Sequence, residues 1–284
     1  MSESDSPEVT VRGPGSEPEV TVIAGVHGDE PSGVRAIQRV LDADHEFERT
    51  VQFVYANPPA LAADRRYVDV DMNRAFPGDA GSDAQEERLA ADLLEIVGDT
   101  PTLSLHATHS QPEPMALVSR AYETALSTAA DLPVPSVVDT KETVAGTLNQ
   151  HAPVVTVEAG RQRTEDATDT ATMVIETFLR IHDALAGNAA TGEPTFFELE
   201  DVVEKPDDAP PAAACDELYD LRAENFELVS AGETWATIEG EDVVADEPFV
   251  PVLMSECGYQ DIFGYKGGLA GESLDDAREY WGMD

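Results

Sequence analysis

The chain has 284 residues, of which 42% are hydrophobic, so it can bury a sizeable core and is not a disordered chain. It carries 57 Asp and Glu residues against 17 Lys and Arg residues, a formal net charge of −40, which excludes nucleic acid and anionic membranes as partners. Because the acidic residues are spread over the whole length, we expect a protein from a halophile, built for molar salt that screens charge repulsion.

The amino terminus and the two cysteines supply no structural framework. Residues 1–17 are polar and acidic, which predicts a flexible segment and no signal peptide. No run reaches about 18 apolar residues, so we expect no membrane span and a cytoplasmic protein.

The spacing of Cys215 and Cys257 suits neither a zinc ribbon nor a redox pair, and both are expected to be free thiols.

Through residues 18–190, short apolar runs that are typical of strands alternate with segments whose apolar residues recur at helical spacing. Strands are predicted over residues 20–26, 51–56, 102–107, 115–119, 136–138 and 154–157. Helices are predicted after Ser32, around residues 89–97 with Ser82 as the cap, near residues 121–130 and over residues 173–185, with a Pro-containing loop at residues 57–81. This order predicts an α/β catalytic domain over residues 18–190, with a mostly parallel or mixed sheet flanked by helices.

The helical period disappears near residue 194. Residues 194–284 are predicted to form a small β-rich domain whose strands are separated by acidic or glycine-containing turns. The strands of this domain are predicted over residues 196–203, 226–229, 234–238 and 249–254.

Two of the predicted strands end in a histidine. His27 follows the first strand on a Gly-rich turn that also carries Glu30, and His106 lies at the end of the strand over residues 102–107. Because parallel strands present their carboxyl ends to one edge of a sheet, these three side chains can meet at one cation. Two imidazoles and a carboxylate form a ligand set of catalytic zinc that leaves a coordination position open. His109 is a competing ligand, and a histidine at a strand end is, taken alone, more often structural.

A carboxylate, Glu158, ends the apolar strand over residues 154–157. A carboxylate in such a place is costly to bury unless it is paired or used. Near a metal it can act as general base on water and then as general acid to a leaving amine. The alternative interpretation is a structural salt bridge to Arg161 or Arg163.

Cations are concentrated in one segment of this acidic chain. Arg65, Arg66, Asn73 and Arg74 lie within ten residues. Guanidinium groups bind carboxylates in a bidentate manner and stabilise a developing oxyanion. A surface loop with ordinary ion pairs is the alternative interpretation.

Together these segments resemble the succinylglutamate desuccinylase and aspartoacylase family, which is related to the zinc carboxypeptidases. The residues that carry the resemblance are His27-Gly28-Asp29-Glu30, Asp71-Met72-Asn73-Arg74-Ala75-Phe76-Pro77-Gly78, Leu105-His106-Ala107-Thr108, and Glu158 with Gly160. The resemblance implies a zinc carboxypeptidase-like fold followed by a β domain. It also implies one zinc ion per chain, bound by His27, Glu30 and His106.

The resemblance further implies roles for five residues. Glu158 would be the catalytic acid and base, and Arg66 would polarise the scissile carbonyl. Asn73 and Arg74 would receive a substrate carboxylate. Tyr259, in the segment Ser255-Glu256-Cys257-Gly258-Tyr259, is similar to a tyrosine that the family's β domain supplies to the site.

The chain departs from the family at one position. Aspartoacylase-like members have an arginine upstream of the catalytic glutamate that grips the second carboxylate of an acidic substrate, and here that position falls near Leu148. Lys141, Arg161 and Arg163 are the candidates to replace this arginine.

The expected function is zinc-dependent hydrolysis of the amide bond of a small N-acyl amino acid. One alternative is a zinc carboxypeptidase that acts on short peptides, and another is a non-catalytic zinc-binding module of the same fold. The expected partner is a small-molecule substrate, with no nucleic acid and no membrane. The sequence leaves open whether the chain forms a homo-oligomer.

Overall fold

The computed structural model describes residues 5–111, 113–140, 143–205, 218–258 and 261–283. The chain divides into two compact units. The larger unit comprises Met1–Ala107 and Pro112–Pro194, and the smaller unit comprises Thr108–Gln111 and Thr195–Asp284.

The larger unit is an α/β structure. Its strands are β1 (Glu8–Arg12), β2 (Val20–Ala24), β3 (Val51–Tyr55), β4 (Thr102–Thr108), β5 (Met115–Val118), β6 (Ser136–Asp139) and β7 (Val154–Arg161). Its helices are α1 (Pro31–Asp42), α2 (Pro58–Ala63), α3 (Gln85–Val97), α4 (Glu123–Asp131) and α5 (Glu165–Ile181), with short 3₁₀ turns at Met72–Arg74 and Leu148–Gln150.

The sheet of the larger unit is mixed and is flanked by helices. Its strands lie in the order β1-β3-β2-β4-β7-β5-β6. The pairs β2–β3, β2–β4 and β5–β6 are parallel, whereas β1–β3 and β5–β7 are antiparallel. Every residue of β2 and β4 is buried, as expected for central strands covered on both faces. The mixed α/β fold predicted from the sequence is confirmed.

Apolar residues far apart in the sequence join the helices to this sheet. Helix α3 contributes Leu89, Leu93 and Val97 to a buried cluster that also contains Ile23 of β2 and Val154 of β7. The apolar spacing of α3 therefore lies on the face that packs against the sheet, as for any amphipathic helix.

The smaller unit is rich in β structure. It contains β8 (Thr195–Glu204), β9 (Tyr219–Leu221), β10 (Thr234–Ile238), β11 (Glu241–Val244), β12 (Val250–Val252), β13 (Ile262–Gly271) and α6 (Leu274–Trp281). Strands β8, β13 and β12 are antiparallel neighbours, and β11, β10 and β9 form a three-stranded sheet. Trp235, Phe249 and Phe263 lie in its aromatic core, with Trp235 edge-on to the other two rings.

Several elements differ from the sequence-based predictions. Residues 8–12, within the predicted flexible segment, form β1, because their backbone pairs with the edge of β3 while Val9 and Val11 stay exposed. Residues 58–63, within the predicted loop, form α2, because a proline fits the first helical turn and Asn57 caps it. Residues 226–229 form no strand, and only a single bridge joins Val229 to Phe249.

Three smaller predictions also differ. Strand β13 was not predicted because its glycines interrupt any alternation of apolar residues. Ser82 does not cap α3, which begins after Ala84 without a side-chain cap. Cys257 is disulfide-bonded rather than a free thiol, and Cys215, the only other cysteine of the sequence, lies outside the described residues.

None of the described helices combines the length and the hydropathy that a membrane span requires.

Candidate metal centre

The histidine-bearing turn after β2 is shaped by two glycines. Gly25 has a φ of 70°, which an L residue adopts only at a cost, and it turns the chain out of the strand. A Cβ on Gly28 would lie 2.1 Å from the carbonyl of Ala60, so only glycine allows the turn to approach this neighbouring backbone. The turn brings His27 into a buried position, with a side chain only 3% exposed.

Glu30 immediately precedes the helix α1, yet it does not cap it. Pro31 is the first helical residue, and the Glu30 side chain makes no hydrogen bond to the helix terminus. Oε1 of Glu30 instead lies 2.8 Å from Nδ1 of His27, and Oε2 lies 3.1 Å from Nδ1 of His106. The backbone N–H of Ala107 also donates to Oε2, at 3.2 Å. The carboxylate therefore lies between the two imidazoles.

The structure brings together the three side chains that the sequence analysis selected as ligands. One ligand atom from each of His27, Glu30 and His106 lies within 4.8 Å of the others, and all three residues are buried. The two imidazole rings meet edge to face, with centroids 5.0 Å apart. Two imidazoles and one carboxylate are the donor set of many catalytic zinc sites, so these residues fit a zinc ion. His109, the competing ligand, is not a member of this group among the described residues.

A second carboxylate supports this group from outside. Asp71 Oδ1 lies 3.1 Å from Nε2 of His27, the ring nitrogen that does not face Glu30. Oδ2 of the same carboxylate accepts from Nε and Nη2 of Arg66, at 3.0 and 2.9 Å. Nη1 of Arg66 lies 3.4 Å from Oε1 of Glu30. Asp71 thus holds both an imidazole and a guanidinium against the metal group.

Burial and neighbouring charges shift the pKa values of this group in opposing directions. Burial lowers the pKa of His27, but the charge of Glu30 and the hydrogen bonds to Asp71 and Glu30 outweigh it and raise the pKa to about 9. Burial raises the pKa of Glu30, but His27 and His106 outweigh it, so the pKa lies far below its usual range. Burial lowers the pKa of His106, and the nearby Glu30 offsets only part of that effect.

Glu158 lies on β7, opposite Met115 of β5. Its Oε2 is shielded from solvent and has no hydrogen-bond partner among the described residues. Burial raises the pKa of Glu158, and the negative charge of Glu30 raises it further, to about 8. No described ion pair joins Glu158 to Arg161 or Arg163; Arg163 instead contacts Asp64 at 2.7 Å. The alternative interpretation of Glu158, a structural salt bridge to Arg161 or Arg163, is therefore not supported by the described contacts.

Of the other predicted site residues, Asn73 is half-buried, Arg74 is exposed and Tyr259 lies outside the described residues. Asn73 and Arg74 lie in the 3₁₀ turn directly after Asp71, where the backbone N–H of Asn73 donates to Asp71 Oδ1 at 2.9 Å. Arg74 is exposed, and its Nη1 donates to the Asn73 carbonyl at 2.7 Å. Tyr259 lies outside the described residues, so its predicted place in the site stays a prediction.

The position of the family's second carboxylate-binding arginine carries no cation here. Leu148 is 2% exposed and packs among Met72 and Phe76 in the apolar cluster beside α3. Of the candidates to replace that arginine, Arg161 is exposed at the end of β7 and Arg163 is paired with Asp64. Lys141 lies outside the described residues.

Sequence reasoning gave no role to three residues that contact this region. Asp71 was part of a recognised motif, but nothing in the pattern showed that it faces His27. Gln162 follows β7, and its Nε2 lies 3.4 Å from Oε1 of Glu30. Glu86 of α3 binds the backbone of residues 68–70. The last two contacts join positions that are remote in sequence, which no local motif predicts.

Comparison with known proteins identifies the fold and a family. Residues 16–183, more than half of the chain, match the model of the succinylglutamate desuccinylase/aspartoacylase catalytic domain. The chain is similar over 92% of its length to the crystal structure of a succinylglutamate desuccinylase/aspartoacylase from Rhodobacter sphaeroides, with a TM-score of 0.73 and 19% identity over 88% of that chain.

Two curated relatives match shorter segments. An N-acyl-aromatic-L-amino acid amidohydrolase of Xenopus tropicalis is 31% identical over 110 residues, 34% of this chain and 36% of the relative. A succinylglutamate desuccinylase of Serratia proteamaculans is 28% identical over 103 residues, 33% of this chain and 32% of the relative. The chain thus aligns with about a third of the length of these relatives.

Proposed function

This chain belongs to the succinylglutamate desuccinylase/aspartoacylase family, and on that basis we propose that it is a zinc-dependent hydrolase of the amide bond in small N-acyl amino acids. The observation that carries the proposal is the buried group of His27, Glu30 and His106, whose ligand atoms lie within 4.8 Å of one another. The names of the two curated relatives, an N-acyl amino acid amidohydrolase and a desuccinylase, support the same class of substrate.

Zinc would be bound by His27, Glu30 and His106. When bound in such a site, zinc acts as a Lewis acid that polarises carbonyl oxygens and acidifies water. The carboxylate of Asp71 lies against Nε2 of His27 and fixes the ring, so that Nδ1 stays directed at the metal group. Ligation requires neutral imidazoles: burial favours that form at His106, whereas at His27, with its pKa of about 9, zinc binding would release a proton.

Glu158 would move the proton. Its partly buried carboxylate holds one oxygen without a hydrogen-bond partner among the described residues, and its raised pKa, about 8, suits both acceptance and donation near neutral pH. Glu158 would take a proton from the attacking water and pass it to the amide nitrogen. The C–N bond then breaks, and the products are a carboxylate and a free amino acid.

Arginines would bind the negative charges of the substrate and of the transition state. Arg66 is about one third exposed, and its guanidinium lies between Asp71 and Glu30, where it can stabilise the charge that develops on the scissile carbonyl oxygen. Arg74 and Asn73 would bind the α-carboxylate, since Arg74 is exposed and follows Asp71 on the same short turn.

The experiment is amine release from a panel of N-acetyl, N-succinyl and N-formyl amino acids in molar KCl, with zinc added after chelator treatment. We expect zinc-dependent release that a Glu158→Gln variant lacks. Preference for acidic substrates would show that another cation replaces the one absent at Leu148, and preference for neutral ones would show a changed pocket. C-terminal dipeptides belong in the panel, because their cleavage alone would identify a carboxypeptidase.

We further propose that the enzyme works in the cytoplasm of a salt-accumulating halophile. The proposal is supported by the net charge of −40 and by the spread of the acidic residues over both units. At about 1 M salt the Debye length is about 3 Å, so repulsion among these carboxylates is small only in concentrated salt.

A further inference from the structure

Glu86, in the first turn of α3, is a fully buried carboxylate that is bound by the backbone of an exposed loop. Its Oε1 accepts from the N–H of Val68 at 2.6 Å, and its Oε2 accepts from those of Asp69 and Val70 at 3.0 and 3.2 Å. The side-chain amide of Asn57 adds a fourth donor, at 3.3 Å. The relative exposure of Glu86 is 0%.

Besides the contacts with Glu86, the loop is held by the side chain of Asp69, whose Oδ2 accepts from the N–H of Gln85 at 2.8 Å. Residues 67–70 form no helix or strand, and the amides of residues 68–70 donate to no backbone carbonyl in the described part of the chain. Tyr67 and Val68 are 41% and 45% exposed, so apolar burial does not anchor the loop either. Among the described contacts, the hydrogen bonds that act directly on the backbone amides of residues 68–70 are therefore the three that converge on Glu86.

The restrained residues lie between two side chains of the metal centre. Arg66 precedes them and contacts Glu30, while Asp71 follows them and contacts His27. A shift of the backbone at residues 68–70 would therefore change the distance and the angle between the guanidinium and the carboxylate. Displacements of about 1 Å are enough to impair a catalytic geometry.

Asn57 connects the same carboxylate to the histidine-bearing turn. Its backbone N–H donates to the carbonyl of Gly25 at 3.0 Å, and its Oδ1 caps α2 by accepting from the N–H of Ala60 at 3.1 Å. Its Nδ2 donates to Glu86. Glu86 is thus hydrogen-bonded both to the loop between Arg66 and Asp71 and, through Asn57, to the turn that carries His27.

We propose that Glu86 is a positioning residue of the proposed hydrolase, which aligns Arg66 and Asp71 with the metal ligands by fixing the backbone of residues 68–70. The described hydrogen bonds of Glu86 go to Asn57 and to the backbone of residues 68–70, and none goes to a proposed metal ligand. A buried carboxylate with four charge-assisted hydrogen bonds is a stiff support, because each lost donor leaves buried charge uncompensated. The effect of Glu86 on turnover rests on the proposed function, whereas its effect on the loop and on zinc binding does not.

The test compares Glu86→Gln with Glu95→Gln, a matched control that removes the same charge from an exposed position of the same helix. Amide hydrogen exchange is measured with single-residue resolution at residues 68–70. In the wild type we expect these amides to exchange at least about 10-fold more slowly than an unstructured loop, and in Glu86→Gln to lose that protection while residues of β4 keep theirs. Unchanged protection in the variant would overturn the proposal.

Zinc binding is the second readout, measured by competition with a chromogenic chelator. We expect the Kd for zinc to rise about 10-fold in Glu86→Gln, because Asp71 no longer holds His27, and to stay unchanged in Glu95→Gln. Glu86→Asp keeps a carboxylate with a shorter reach, so it should recover part of the loop protection and of the zinc affinity. No recovery by Glu86→Asp and an unchanged Kd in Glu86→Gln would contradict a positioning role.

Turnover separates this proposal from the proposed function. If the wild type hydrolyses the substrates, Glu86→Gln should lower kcat about 10- to 100-fold with a smaller change in KM, since Arg66 acts on the transition state. If the wild type hydrolyses none of them while exchange and zinc affinity respond as expected, the proposed function fails and the positioning role stands. If Glu86→Gln does not fold, fast exchange of residues 68–70 in the wild type would by itself overturn the proposal.

Discussion

Nε2 of His27 lies 3.1 Å from Oδ1 of Asp71, while Nδ1 of the same ring faces Glu30. A carboxylate on the second nitrogen of a metal-binding histidine fixes the ring orientation and the tautomer. In this chain the same carboxylate also accepts two hydrogen bonds from Arg66. One side chain therefore couples a proposed ligand to the proposed oxyanion-binding group.

Replacing Asp71 with asparagine should weaken zinc binding about 10- to 100-fold, the usual effect of losing a carboxylate that hydrogen-bonds a metal-binding histidine. The asparagine keeps the shape of the side chain but loses the charge that favours both His27 and Arg66. The measurement is chelator competition, with Asp99→Asn, at an exposed position, as the charge control. Equal affinity in Asp71→Asn and the wild type would show that the ring of His27 is fixed by packing alone.

Replacing Glu158 with glutamine should lower kcat by about 100- to 10,000-fold or more, because a general acid–base group contributes that much. Zinc content should stay at one ion per chain, since Glu158 is not among the proposed ligands. Atomic absorption on the purified variant, together with single-turnover kinetics, measures both quantities. A variant that retains wild-type turnover would remove Glu158 from the mechanism, and a variant without zinc would make it a ligand.

Replacing Arg74 with alanine should raise KM about 10- to 100-fold with little change in kcat, because a charged hydrogen bond to a substrate carboxylate contributes about 1.5–3 kcal/mol. Arg35→Ala, at an exposed position of α1, removes the same charge away from the site. The test is steady-state kinetics on the best substrate of the panel. An unchanged KM would place the α-carboxylate elsewhere.

Local sequence signals account for the meeting of the three proposed ligands. His27 and His106 each follow or end a run of apolar residues, and such runs in parallel strands end at one sheet edge. The proline after Glu30 starts a helix without needing a side-chain cap, which leaves that carboxylate available to the histidines. The ends of strands and the residues of turns can thus be predicted from a single sequence.

The support of the site could not be predicted in the same way. Glu86 lies 18 residues from Val68 along the chain, and only the packing of α3 on the sheet brings them together. Helix α2 was not predicted because the two prolines at its start are also typical of a loop. Strand β1 was not predicted because it forms by backbone pairing with β3 and does not bury an apolar face.

His182 should make the protein less stable in mild acid. Burial, with a smaller contribution from Arg49, lowers its pKa from 6.5 to about 4. The unfolded chain therefore binds a proton that the folded chain does not, so the free energy of unfolding falls as the pH drops from 6.5 toward 4. The ring is partly exposed, so we expect a contribution of about 1–2 kcal/mol.

The measurement is denaturant unfolding at several pH values between 4 and 7 in high salt. His182→Gln should flatten the pH dependence in this window, and His151→Gln, at an exposed position, should not. Parallel curves for the wild type and His182→Gln would show that carboxylates alone cause the acid sensitivity.

The net charge of −40 should make stability depend strongly on salt. Raising KCl from about 0.1 M to about 3 M shortens the Debye length from about 10 Å to less than about 3 Å, so repulsion between surface carboxylates is nearly abolished. We expect the melting temperature to rise by about 10 °C or more, which for a chain of this size corresponds to a few kcal/mol. Sucrose is the control, since it is excluded from protein surfaces without screening charge. A melting temperature that does not respond to KCl, or that responds equally to sucrose, would count against the proposed halophilic adaptation.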